Sequence, residues 1–142
     1  MNVGKFILNV VIAFIVYGAL YMGGVSVFEA QFAAGQEMMN PEAETPALAY
    51  HFVQTVVVVW LFGKAVGSAD LKAGAIYGFM MGLYLMATQA TWIISIKGFP
   101  QDGRFVSGVM DLAVGVIVGV LLAFLWGKGL GFGAPEEAAS DA

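Results

Sequence analysis

Cysteine is absent from the 142-residue chain and histidine occurs once. The first absence removes disulfides, thiolate metal sites, Cys nucleophiles and CxxC redox chemistry. The second leaves no recognisable metal-ligand spacing, because one His without Cys makes no pattern. Charge is scarce too: 11% of residues are Asp, Glu, Lys or Arg, where an ordinary soluble domain carries about a quarter. The six basic residues are scattered and build no patch, so nucleic acid is not an expected partner. Phosphate loops are missing, since the glycines sit inside apolar runs. Ser26, Ser95 and Ser107 stand outside any GxSxG elbow. The chain reads as a non-enzyme with no cofactor.

What remains is apolar: 60% of the residues are hydrophobic. Four long runs stand out, over about 5–25, 47–63, 73–96 and 105–127. At about 1.5 Å of rise per residue each can cross a hydrocarbon core of about 30 Å, the second only just. The expected fold is all-α, a four-transmembrane-helix bundle and integral membrane protein whose first partner is the lipid bilayer. Residues 1–128 form the membrane domain, 29–46 an outer loop and 129–142 a disordered acidic cytoplasmic tail. The first run exceeds the apolar core of a secretory signal and FEAQFAAG makes a poor cleavage site, so it is read as a mature helix. Lys5, Lys64, Lys72 and Lys128 fall on one side against Lys97 and Arg104 on the other. That bias places both termini in the cytoplasm.

Between spans, close backbone approach and hydrogen bonds replace the hydrophobic effect, so small residues mark helix contacts. Gly74, Gly78 and Gly82 form a doubled GxxxG in the third run; Gly108, Gly115 and Gly119 share one stripe in the fourth. As plain packing devices they need no further role. Asp111 lies between Gly108 and Gly115 on that stripe, which turns it toward protein. At about 1.5 Å per residue, Tyr21, His51, Gln89 and Asp111 fall in one layer roughly 6 to 11 Å below the outer boundary, with Gln54 and Thr55 one turn deeper on the second helix. His51 is the expected partner of Asp111, as an ion pair or around a shared proton. Equally weighted is a purely structural Asp111 that ties helices together through His51, Gln89 or a Tyr hydroxyl. No metal site is assigned; His51, Met38 and Met39 are the weak candidates for an outer-face copper site, because imidazole and thioether suit that metal. Trp60, Trp126 and Tyr50 read as interfacial anchors.

The stretch WIISIKGFPQDGRFVSGVMDLAVG joins the last two runs by a short Gly/Pro turn, with an amide-bearing helix before it and an early Asp with regular glycines after it. It resembles small four-span bacterial membrane proteins grouped as families of unknown function. That resemblance implies a bacterial inner membrane and a fold that depends on the Asp and glycines; it transfers no activity. The function expected is a small non-catalytic membrane protein, an accessory or scaffold subunit with a protein partner or a homo-oligomer in the membrane. The alternatives are proton- or small-solute-linked transport through the polar pocket, and copper handling on the outer face.

Overall fold

The computed structural model describes residues 1–133, and among them it is all helix, with no strand. Four long helices carry the structure: α1 (Val3–Val27), then, after the short α2 (Glu29–Gln36), α3 (Glu44–Ala65), α4 (Leu71–Ser95) and α5 (Asp102–Leu125). Segments Val3–Val27, Pro41–Ala65 and Asp102–Leu130 are long and apolar enough to cross a membrane. The fourth long helix, α4, is not among them; Gln89, Thr88, Thr91 and its tyrosines dilute its apolar content.

Local chemistry sets the helix ends. Asn2 caps α1 by accepting from the Lys5 amide, and Asp70 caps α4 by accepting from the Lys72 and Ala73 amides. Gly67 closes α3 at a φ of 52°, with its amide and that of Val66 both bonding the Phe62 carbonyl. Successive long helices run antiparallel. One end of the bundle, here called proximal, gathers Asn2, the α3–α4 connection and the end of α5. The distal end carries α2 and the α4–α5 turn.

The 29–46 segment departs from the expected loop. Glu29 in its first turn and the alanines that follow favour helix, and α2 lays the Gln31 backbone across Gly103 at the start of α5. The tail also differs from its expected disorder over 129–133. After a wide turn at Trp126–Leu130, Gly129 at a φ of 81° lets the chain double back. Phe132 then enters the core at 2% exposure, edge-on to Phe6 and Trp126 and against Gly63. Its carbonyl accepts from the Asn2 amide at 3.0 Å, while Asn9 Nδ2 donates to Leu130 and Lys5 carbonyls. Aromatic area removed from water outweighs the small, Gly-rich composition that suggested disorder. The remainder of the expected tail, 134–142, lies outside the described residues.

The apolar core sits in the proximal half, where Val10, Ala13, Val59, Phe62, Val114, Val118 and Leu122 meet Phe132. Above it, α4 and α5 are pressed backbone to backbone. A methyl group on Gly74, Gly78 or Gly82 would fall on the carbonyl oxygens of Gly119, Gly115 and Asp111 respectively, and one on Gly115 or Gly119 would strike the α4 backbone in return. Gly108 instead takes the Met86 side chain. In contrast, α3 leans on α1, with Phe52 edge-on to Phe14, and touches α4 near the proximal end, where the Tyr77 hydroxyl donates to the Val58 carbonyl. From Pro41 to Gln54 every residue of the chain is exposed.

Candidate functional site

The antiparallel register of the glycine seam determines where Asp111 goes. Its backbone occupies the place opposite Gly82, so its side chain is turned off the seam toward α1. There it is fully buried, at 0% exposure. Tyr17 Oη donates to Asp111 Oδ1 over a long 3.5 Å, and Oδ2 has no hydrogen-bond partner. One turn away on the same face of α5, Ser107 Oγ shares a hydrogen bond of 2.8 Å with Tyr21 Oη and reaches Gln89 Oε1 at 3.5 Å. Tyr17 and Tyr21 are likewise one turn apart on α1, with rings stacked at 5.8 Å. Three helices thus supply one polar cluster: two tyrosines from α1, Gln89 from α4, and Ser107 with Asp111 from α5.

His51 and Gln54 do not join it. They are exposed on α3 and bond each other, His51 Nδ1 to Gln54 Oε1 at 3.1 Å. The expected Asp111–His51 pair is therefore absent: Asp111 meets Tyr17 instead. Depth along the helices carries no information on how far a helix leans. His51 shares the bundle-facing stripe of Thr55, Val58 and Phe62, spaced by four, three and four residues. The distal part of this stripe faces an open crevice rather than Asp111, whereas Val59 and Phe62 nearer the proximal end are buried in the core. That crevice is walled by His51, Gln54 and Thr55 on one side and Tyr17, Gly78 and Gly82 on the other.

A second cavity, of about 310 Å³, opens between the distal parts of α4 and α5 and is lined by Gln89, Gln101, Arg104 and Asp111 among apolar side chains. Arg104 is half-buried, and its Nη1 donates to Gln101 Oε1 at 2.9 Å. A third, of about 240 Å³, adjoins it beneath α2 and shares Ile93 and Arg104; Met38 and Met39 line this one, whereas His51 lines the crevice. The weak copper candidates are thus divided between two sites, and among the described residues no three His, Asp or Glu side chains cluster as ligands.

Tyr17, Ser107 and Arg104 are the site residues that the sequence reading did not single out. The four-residue spacing of Tyr17 and Tyr21 was the available signal for the first, as was that of Ser107 and Asp111 for the second. Chemically, the arrangement offers a sheltered carboxylate with one free acceptor oxygen, ringed by hydroxyls and an amide. Ser107 stands between Tyr21 and Gln89 and has no imidazole beside it. Compared with known proteins, the chain matches no family model, no curated protein and no solved structure.

Proposed function

We propose that the chain is a small non-catalytic integral membrane protein, a four-span helical bundle that serves as an accessory or scaffold subunit. The observation that carries this reading is the distal half of α3. It is exposed on all residues up to Gln54 and bears His51 and Gln54 in a stretch read as membrane-spanning. His51 lies four residues inside the run that begins at 47, about 6 Å along the axis. Among the described residues their side chains bond only each other. Hydrocarbon offers nothing to the groups left over, and polar side chains at such depth ordinarily face protein. A partner subunit, or a second copy of this chain, laid along α3 would supply it.

Two further features support the reading. The helix that falls short on hydropathy, α4, is locked antiparallel to the most apolar one, α5, so both share one depth and α4 serves as the remaining span. The glycine faces that could have received a partner are consumed inside the chain, so the proposed contact flank is α3, where His51 and Gln54 are exposed. Lys5, Lys64, Lys72 and Lys128 at the proximal end support a cytoplasmic side for both termini, and the resemblance of the last two helices to four-span bacterial membrane proteins supports a bacterial inner membrane.

Photo-crosslinking in native membranes tests this directly. A photoreactive residue in place of Leu48 or His51 should give a discrete heavier adduct, and one in place of the exposed Phe124 should not. Lipid adducts alone from all three positions, with a lone monomer after native pull-down in mild detergent, would overturn the reading.

A further inference from the structure

Four lysines gather at the proximal end: Lys5 in the first turn of α1, Lys64 in the last turn of α3, Lys72 in the first turn of α4 and Lys128 in the turn that ends α5. Asp70 is the one carboxylate at this end among the described residues, and its Oδ1 is occupied by the Lys72 and Ala73 amides as the cap of α4. The four do not lean the same way. Side chains on a helix tilt toward its N-terminus, so for Lys5 and Lys72, which open their helices, the tilt leads away from the bilayer. For Lys64 and Lys128, at the ends of theirs, it leads back toward hydrocarbon. The contacts follow: Lys64 Nζ lies over the Trp60 ring, 5.8 Å from its centre, and Lys128 Nζ over the Phe124 ring at 5.2 Å.

Both rings stand one helical turn inside their lysine, about 6 Å nearer the middle of the span. Both are exposed, so each pair lies on an outward flank of the bundle, cation above and ring below. A lysine at the end of a span ordinarily stretches toward water. These two keep their heads by the ring, held there by cation–π attraction, at a depth where the nearest counter-charge is a lipid phosphate. We infer that Lys64 with Trp60 and Lys128 with Phe124 form two headgroup sites for anionic phospholipid in the leaflet at the proximal end. The ammonium takes the phosphate oxygens, and the ring carries the glycerol and the first methylenes of the chains.

Position, rather than net charge, then sets which lysines hold lipid. Among the described residues Lys64 and Lys128 alone lie over aromatic rings. Lys5 and Lys72 add to the positive field of the same face, so they attract anionic lipid without fixing it, and salt screens that contribution. The inference rests on the membrane-spanning reading proposed above. It does not depend on the subunit role, since the flank assigned to a partner is the distal half of α3 and Lys64 lies at the other end of that helix.

The test places the full chain in nanodiscs of phosphatidylcholine alone, or of equal parts phosphatidylcholine and phosphatidylglycerol, then releases it into mild detergent for native mass spectrometry of the lipids it retains. From the mixed discs about two molecules of phosphatidylglycerol should stay on each chain. Melting, followed by tryptophan fluorescence, should come about 5 °C higher in the mixed discs. Lys64→Gln and Lys128→Gln should each lose about one retained phosphatidylglycerol, whereas Lys64→Arg and Lys128→Arg keep the charge and the ring contact and should retain both. Lys5→Gln and Lys72→Gln remove the same charge and should leave the count unchanged. Equal losses from all four positions would overturn the assignment in favour of a diffuse surface field. So would equal retention of phosphatidylcholine, or a full count after Lys64→Gln and Lys128→Gln are combined. A chain that enters nanodiscs of neither composition would overturn this inference through the membrane-spanning reading beneath it, a result distinct from one that enters both and does not discriminate.

Discussion

The α4–α5 seam and the distal half of α3 belong to one helical bundle, yet the first is closed to backbone contact and the second stands open. The difference lies in shape. Glycine at every fourth position strips α4 of its side-chain layer along one edge, so the α5 carbonyls reach its backbone. The distal half of α3 carries no glycine, and its residues stay exposed up to Gln54, whereas Val59 and Phe62 further along are buried in the core. Where lipid tails are as apolar as the side chains, hydrophobicity does not choose a partner; the ability to come close does. A closed seam can force a carboxylate into the interior, as it does Asp111, while an open flank leaves His51 and Gln54 exposed.

The strongest way to break the contrast is to thicken the seam. Gly78→Val places a branched side chain on the Gly115 carbonyl, a backbone atom that cannot rotate aside. The loss of stability should exceed the roughly 1 to 3 kcal/mol of tolerable overpacking, read as a collapsed melting transition. Gly18→Ala, where nothing lies within 4 Å, should shift stability by less than about 0.5 kcal/mol. Next in size is Phe132→Ala, which empties the proximal core and should cost about 3 kcal/mol in thermal or denaturant unfolding.

Smaller effects sharpen the comparison. Asp111→Asn keeps the shape but removes a charge that has a single long hydrogen bond. The variant should melt at the same temperature or gain about 1 kcal/mol. A drop of several degrees would instead show that the carboxylate holds α1 to α5. Smallest is the double change His51→Leu with Gln54→Leu: below about 0.5 kcal/mol for the isolated chain, with loss of the Leu48 crosslink in membranes.

Much of the seam was legible in the sequence. Laid antiparallel, the stripe at 74, 78 and 82 faces positions 119, 115 and 111, and that register alone puts Asp111 opposite Gly82 and inside the protein. Tyr21, Gln89 and Asp111 were grouped by depth, and they belong to one cluster. His51 and Gln54 were grouped with them by the same argument and stand apart, because residue counting along an axis is blind to splay. Arg104 entered the reading only as a charge for orientation; nothing in its spacing announces a cavity, which arises from how α4 and α5 diverge beyond Gly108. Residues 129–133 were assigned to the tail on composition, yet one aromatic side chain beside a gap over Gly63 is enough to tie down a short glycine-rich stretch.

The bond from the Asn2 amide to the Phe132 carbonyl joins residues near opposite extremes of the described chain. Phe132 follows every helix in order of synthesis, yet it completes the wall against which the first helix rests. The proximal end of α1, with Phe6 and Val10, therefore gains its last cover from the segment that follows all the helices, so the two extremes of the described chain hold one another in place.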